Sequence, residues 1–371
     1  MAFFIFTKNK KMKLFNYLLL LILIISSCKK DSENSPDLEE KYGDGMYIAT
    51  NNGVSFYNGA TVENQIFQKA NGITLGNVEK VKFKGTKAYI LSGNEMFTAN
   101  IKTFGEQGSI GSFLNAVDFE FVSLDNRILV VDKGDSKVKF VDLESMQITS
   151  DIETGYNTSP NFIIKKPYLG TGRAFVMNGG AEADSLKDST IIAIDYQDQN
   201  VPLADMMGSL YVGENPNSAV NISKLRVLCK GIYDPNNLIA KTQSSLVIVD
   251  PYNMLVIATQ YLSGVYNAKN LTANSDGTEY YLTAENGIYK MNKDGTGLSL
   301  IDDLVSDICY YNDEIYSQYA GTDSVTYYNR DVLYCNDSEN NKNIIYKYNL
   351  GSNLFIDTII VEGNVNDINF Y

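Results

Sequence analysis

Past residue 41, the chain runs in short stretches where apolar and polar positions alternate, each broken by Gly, Asn or Asp. Ala88-Tyr89-Ile90-Leu91, Arg127-Ile128-Leu129-Val130-Val131 and Leu246-Val247-Ile248-Val249 are such stretches. A period of two, rich in β-branched and aromatic residues, predicts strands, and no long stretch carries the period of an amphipathic helix. Asn274-Ser275-Asp276-Gly277-Thr278 and Asn292-Lys293-Asp294-Gly295-Thr296 read as hairpin turns. Asp-Gly supplies the positive φ that such turns require. The same aspartates would suit calcium, but a turn accounts for them with fewer assumptions.

The strands come in fours. Between Asn115 and Gly155, strands are expected through Ala116–Phe119, Arg127–Val131, Lys137–Asp142 and Gln147–Ile152. Four strands in about 40 residues is the size of one propeller blade. A first-strand signature recurs at Val78, Leu114, Pro160, Pro216, Ala268, Val305 and Val365, at intervals of 36 to 60 residues. The expected fold is therefore all-β, a seven-bladed β-propeller of four-stranded blades over residues 45–371. Val365–Tyr371 reads as a first strand and Gly45–Ala49 as a second strand, so joining them completes blade one. An open two-sheet sandwich is the alternative, and it has no use for matching fragments at its two ends.

Residues 1–41 are of another kind. Lys8, Lys10, Lys11 and Lys13 precede an apolar run from Leu14 to Ile25, the layout of a secretory signal, with Met12 as an alternative start. Ile25-Ser26-Ser27-Cys28 fits a bacterial lipobox with Cys28 as the lipidated residue. A transmembrane anchor is the other reading, but the run falls short of the roughly 20 residues needed to span a bilayer. The expected organisation is a lipoprotein signal peptide over 1–28, a flexible tether over 29–44 and the propeller over 45–371. The polar stretch after Cys28 reads either as a plain linker or as a surface-export signal. The expected location is the outer membrane, lipid-anchored, facing the cell surface or the periplasm.

Composition removes several chemistries. The chain of 371 residues has no His and no Trp. A Ser-His-Asp triad, a Cys-His pair and His-ligated zinc or haem are thereby excluded. Residues 1–41 hold 7 Lys and 5 acidic residues, leaving 24 basic against 39 acidic in the remainder. So acidic a surface disfavours nucleic acid as a partner. Beyond Cys28 there are three cysteines, Cys229, Cys309 and Cys335, all in apolar runs. They read as buried core, with a Cys309–Cys335 bridge as the alternative.

Lys137–Gly155 resembles the repeat of YncE-like, surface-layer-type propellers, with a third strand ending in Asp and a fourth closing on Gly. Asn215-Pro216-Asn217-Ser218 with Leu225–Gly231 is similar to a lipoprotein branch of that superfamily, the cobalamin-capturing BtuG branch. The resemblance implies a small-molecule ligand, a corrinoid, and a TonB-dependent outer-membrane transporter as partner. The membrane would be touched through the lipid anchor alone.

Candidate ligand residues lie in three insertions assigned to loops between second and third strands. The first is Asn178–Ser189. The second is Lys230–Ser244, with Tyr233, Asp234, Asn236 and Asn237. The third is Tyr319–Asn343, with Tyr319, Tyr327, Tyr328 and Arg330. Long loops on a rigid scaffold carry function, and Tyr with Asn offers rigid faces and adaptable hydrogen bonds. Tyr327-Tyr328 also reads as one more strand. No carboxylate pair has diagnostic spacing, and no P-loop, GxGxxG or EF-hand loop is present. The sequence points to a non-catalytic binding protein without cofactor or metal. The alternative is an interaction scaffold or adhesin, with a rim-based glycan hydrolase a third, weaker reading.

Overall fold

The computed structural model describes residues 39–122, 127–167, 171–179, 188–197, 204–232, 241–319 and 325–371. The signal segment and Cys28 lie outside them. The strands are β1 (Met46–Thr50), β2 (Gly53–Tyr57) and β3 (Val62–Glu63), then β4 (Val78–Lys84), β5 (Lys87–Ser92), β6 (Glu95–Asn100) and β7 (Glu106–Ile110). There follow β8 (Ala116–Phe121), β9 (Arg127–Asp132), β10 (Lys137–Asp142) and β11 (Gln147–Glu153). Blade four holds β12 (Pro160–Pro167), β13 (Thr171–Asn178), β14 (Thr190–Gln197) and β15 (Ala204–Tyr211). Blade five holds β16 (Pro216–Ile222), β17 (Lys224–Cys229), β18 (Ser245–Asp250) and β19 (Leu255–Tyr261). Blade six holds β20 (Lys269–Ala273), β21 (Glu279–Ala284), β22 (Gly287–Asn292) and β23 (Ser299–Asp302). Blade seven holds β24 (Tyr310–Tyr319), β25 (Val325–Asn336), β26 (Ile344–Asn349) and β27 (Leu354–Ile360). The last strand, β28 (Val365–Phe370), joins blade one in the order β28-β1-β2-β3. Among the described residues these are seven antiparallel four-stranded sheets, the expected propeller.

The apolar runs of the second strands have a simple cause. Ile128 and Val130 pack toward blade two, while Leu129 and Val131 pack toward blade four. A strand buried on both faces needs apolar residues at every position. The core of the described residues divides accordingly into seven clusters, one at each blade interface. Between blades one and two, one short helix, α1 (Ile66–Asn71), inserts Ile66 and Phe67 into that seam. The strand pattern gave no sign of it, since six residues are too few to show a helical period.

β8 begins at Ala116 as expected, while the blade-seven signature at Val305 runs ahead of its strand, which begins at Tyr310. The backbone N–H groups of Leu114 and Asn115 each donate to the Asp132 carboxylate at 2.8 Å. In blade seven Asp307 N–H donates to Asn336 Oδ1 at 2.9 Å. A polar side chain at the end of the second strand thus holds the residues ahead of the first strand out of the ladder.

A second device ends the third strands. Asp142, Asp250 and Asn349 each accept backbone N–H groups two and three residues ahead through one side-chain oxygen. These are Asx turns. For Asp250, the N–H groups of Tyr252 and Asn253 hold the carboxyl down to about 2. Ser145 does the same in direction for Asp142. Asp276 and Asp294 bond Thr278 and Thr296 within their own turns, the geometry expected of a turn.

The ring closes by direct pairing of Met46 with Phe370, Tyr47 with Asn369 and Ile48 with Ile368. Side chains then tie β28 to blade two. Asn366 Nδ2 donates to Val78 O at 2.8 Å and Asn369 Nδ2 to Val81 O at 3.1 Å, and Lys80 Nζ pairs with Asp367 at 2.9 Å. Burial works against the Lys80 charge, but the attraction of Asp367 and Asp118 outweighs it and raises its pKa.

Ile368→Ala is expected to cost about 2–5 kcal/mol, as for any fully buried aliphatic side chain, and Ile48→Ala a similar amount. Urea unfolding measures both. A near-neutral Ile368→Ala would mean that β28 does not close the ring. The depressed Asp250 pKa stabilises the fold above its unfolded value near 4, and that contribution is lost as pH falls toward about 2. Asp250→Asn keeps the acceptor oxygen but not the charge. Its melting temperature should therefore fall less than that of the parent between about pH 5 and pH 2. Parallel curves would remove Asp250 from the acid response.

Candidate functional site

The connections from second to third strand, and from each blade into the next, lie on one face of the ring, called here the top. The turns between strands one and two, and three and four, lie on the bottom. Two of the three predicted insertions are top connections, 179–189 and 230–244. Tyr233, Asp234, Asn236 and Asn237 fall in 233–240, outside the described residues.

The third insertion is not a top loop. β24 and β25, at 10 and 12 residues the longest described strands, pair without a break from Tyr310↔Tyr334 to Tyr319↔Val325. The top connection of blade seven is only 337–343. Tyr319, Tyr327 and Tyr328 are therefore strand positions at the bottom end of a long hairpin, on the face opposite the ends of β17 and β18 that flank the blade-five insertion. The run Val325–Tyr328 continues the β pattern, and its alternative reading as a strand holds. Arg330 sits across from Glu314 and bonds it at 3.0 Å. Glu314 also takes Lys347 Nζ at 2.7 Å and the Tyr334 hydroxyl. Burial alone would raise the Glu314 pKa, but these three donors reverse it and lower it. Arg330 belongs to an ion cluster within blade seven.

What the top face offers instead is a cleft of about 570 Å³ at the outer junction of blades four and five. Tyr211, at the top of β15, and Tyr261, at the top of β19, flank it and are 67% and 65% exposed. Glu214, Thr242, Gln243 and Thr259 add polar groups to the lining. A second hollow of about 590 Å³ over blade two, lined by Leu75, Asn77, Ser92–Glu95, Gly111 and Ser112, has no aromatic wall.

The polar side of the cleft is fixed by its own hydrogen bonds. Thr242 Oγ1 donates to Glu214 Oε2 at 2.7 Å and accepts from Ile232 N–H at 2.7 Å. Gly231 N–H donates to Glu214 O at 3.0 Å, and Asn215 Nδ2 donates to Gly231 O at 2.8 Å. Lys241 pairs with Glu285 and lies 3.9 Å from the Tyr266 ring centroid. Both ends of the 230–244 connection are thus pinned, one to the blade-four connection and the other to blade six. Gly231 has φ +78°, and a Cβ there would lie 2.6 Å from Thr242 O. Both the backbone conformation and the space call for glycine.

Behind the cleft, Cys229 is fully buried. Burial pushes its thiol up to about 12, against a smaller opposing hydrogen bond from Ser245, so it is not a nucleophile at neutral pH. Among the described residues no group of three or more Cys, Asp or Glu is placed to hold a metal ion. The arrangement can sandwich a flat or apolar group between aromatic rings and hydrogen-bond its polar edge.

Sequence reasoning missed Tyr211 and Tyr261, although a signal exists. In consecutive blades a fourth strand ends in Tyr, an apolar residue and a nearby Gly, as Tyr211-Val212-Gly213 and Tyr261-Leu262-Ser263-Gly264. Val212 and Leu262 are buried, which turns each preceding ring outward.

Gly231→Ala should destabilise by about 1–3 kcal/mol, the usual range for a strained backbone position. Gly85→Ala, at φ +57° with nothing within 4 Å, is the control for φ alone and should cost less. Equal losses in urea unfolding would mean that the 230–244 connection yields to the added methyl.

No family model matches the chain, and no curated protein matches its sequence. Solved structures do match in shape. A functionally unknown protein from Desulfotomaculum acetoxidans shares 12% identity at TM-score 0.59, over 87% of this chain and 98% of that one. A protein from Lactobacillus plantarum shares 8% at TM-score 0.61, over 88% and 99%. Hydrazine synthase from Kuenenia stuttgartiensis shares 13% at TM-score 0.57, over 83% and 91%. At such identities the likeness extends to the fold alone, and it supports the seven-bladed β-propeller.

Proposed function

We propose that this chain is a lipid-anchored, non-catalytic binding protein whose top-face cleft between blades four and five takes an amphipathic small molecule. The observation that carries this reading is the pair of exposed rings, Tyr211 and Tyr261, flanking hydrogen-bonded polar groups on a connection pinned at both ends. An exposed aromatic pair over preorganised polar groups suits a ligand with one apolar face and one polar edge. The same connection carries Tyr233, Asp234, Asn236 and Asn237, the residues that the sequence singles out.

The approach of the chain supports the arrangement. The N–H groups of Lys41 and Tyr42 both donate to Lys102 O at 2.9 Å, in a bottom turn of blade two. Lys41 and Tyr42 are thus held on the face opposite the cleft. The resemblance of Asn215–Gly231 to the BtuG branch suggests a corrinoid as ligand, outer-membrane anchoring through Cys28 and delivery to a TonB-dependent transporter. A second reading, a protein-interaction scaffold, draws on the exposed apolar outer strands beside the cleft: Leu255, Val256 and Ile257 with Met206 and Met207.

Calorimetry of the detergent-solubilised full chain with cyanocobalamin and cobinamide tests the first reading. Sub-micromolar binding is expected. Replacing Tyr211 and Tyr261 together by Ala should weaken it about 5–150-fold, from roughly 0.5–1.5 kcal/mol per aromatic contact. Unchanged affinity in the double variant would move the site away from this cleft. No heat at saturating corrinoid, with an outer-membrane protein co-purifying, would favour the scaffold.

A further inference from the structure

The two cysteines of blade seven are not merely near each other. Tyr310 faces Tyr334 across the antiparallel pair of β24 and β25, and the same register continued one residue beyond the ladder sets Cys309 opposite Cys335, in keeping with their shared cluster. Both are buried in one cluster at the seam of blades six and seven, with Tyr281, Ile288, Leu333 and Tyr348. The Cys309 thiol lies near enough to Cys335 to oppose its ionisation. Directly opposed residues in such a pair have Cα atoms about 4.5–5.5 Å apart, within the roughly 4.4–6.8 Å that a disulfide spans. Cys229 belongs to the separate cluster between blades four and five, so no native-like movement brings it to either partner.

We infer that Cys309 and Cys335 are the acceptor pair for a cross-strand disulfide that staples the base of the long blade-seven hairpin. Bond formation takes two electrons and two protons from the thiols and gives them to an incoming disulfide, which departs as two thiols. One cysteine thiolate attacks the oxidant to form a mixed disulfide, and the other displaces the oxidant's second sulfur. The oxidant is a disulfide of the kind met in oxidising compartments, either a protein dithiol oxidase or a small disulfide such as oxidised glutathione.

Burial decides when this happens. It raises the Cys335 pKa well above its ordinary value, and the neighbouring Cys309 adds to the effect. The thiolate is the reactive form, so the folded dithiol is a slow substrate and the bridge closes while the chain folds. Once closed, it removes freedom from the unfolded chain, and it does so in the blade adjoining the ring closure at β28.

The test uses the full chain carrying Cys28→Ser. The reduced, denatured protein is refolded in a glutathione redox buffer, quenched in acid, alkylated in denaturant and digested. The Cys309 and Cys335 peptides should emerge linked in the bulk of the folded fraction, with Cys229 alkylated. Folded material in which both cysteines alkylate as free thiols would overturn the inference, as would a bridge that includes Cys229. A second measurement needs no variant in blade seven. Reductant should lower the melting temperature of the oxidised, folded chain by several degrees, and an unchanged value would count against a stabilising staple. Where Cys309→Ala folds, its melting temperature should be insensitive to reductant.

Discussion

The closing pair of β1 and β28 is the constraint on which the remaining structure rests. Seven blades packed side by side bury their second and third strands only if every blade has two neighbours. Met46 and Ile48 lie in the same cluster as Val332, Tyr334 and Ile345 of blade seven, while Tyr47 and Ala49 pack with blade two. One strand therefore serves both flanking interfaces, and β28 holds it from the channel side. Without that pairing, two sheet faces lined with aliphatic side chains would meet water, at about 25 cal/mol per Å² of apolar surface. The bond of Asn366 to Val78 O and the Lys80–Asp367 ion pair then fix the angle at which blade one meets blade two.

The same logic recurs around the ring with different residues. Asp118 accepts the N–H of Ile163 from blade three to blade four at 3.1 Å, and Ser218 accepts that of Leu271 from blade five to blade six at 3.0 Å. The polar groups of the inner strands thus find partners in the next blade rather than in the channel. This satisfies buried donors that the four-stranded ladders leave over. It also explains why the chain tolerates so many charged residues on its innermost strands.

Strand existence was legible because burial on both faces writes a continuous apolar run, as in Ile128–Val131, and because Asx residues mark the turns. Strand starts were less so. Val305 looks like a strand residue by hydropathy, yet the side chain of Asn336, on another strand, helps decide where the ladder begins, and such a partner is remote in sequence. The blade-seven hairpin failed for a related reason. Val325–Asn336 mixes Tyr, Asn, Arg and Asp in a way that suits both a loop and a strand, and only pairing with Tyr310–Tyr319 separates the two. Tyr211 and Tyr261 escaped notice because they stand at the ends of outer strands in two different blades, some 50 residues apart, and are neighbours only once the blades are packed. The blade-five loop, by contrast, was visible as an insertion, and Gly231 and Thr242 at its two ends line the cleft.

Blade one joins residues from the two extremes of the propeller. Gly45 and Tyr371 exchange backbone hydrogen bonds, at 3.3 and 3.1 Å. A linker of a few residues would bridge them without disturbing a single ladder, and the chain could then be opened instead at an exposed turn such as Gly85-Thr86. The numbering of the blades is in that sense a property of the gene rather than of the fold. A circular permutant cut there would keep every seam between blades, with its new ends beside the old junction, since the Tyr371 hydroxyl donates to Gly85 O at 3.1 Å.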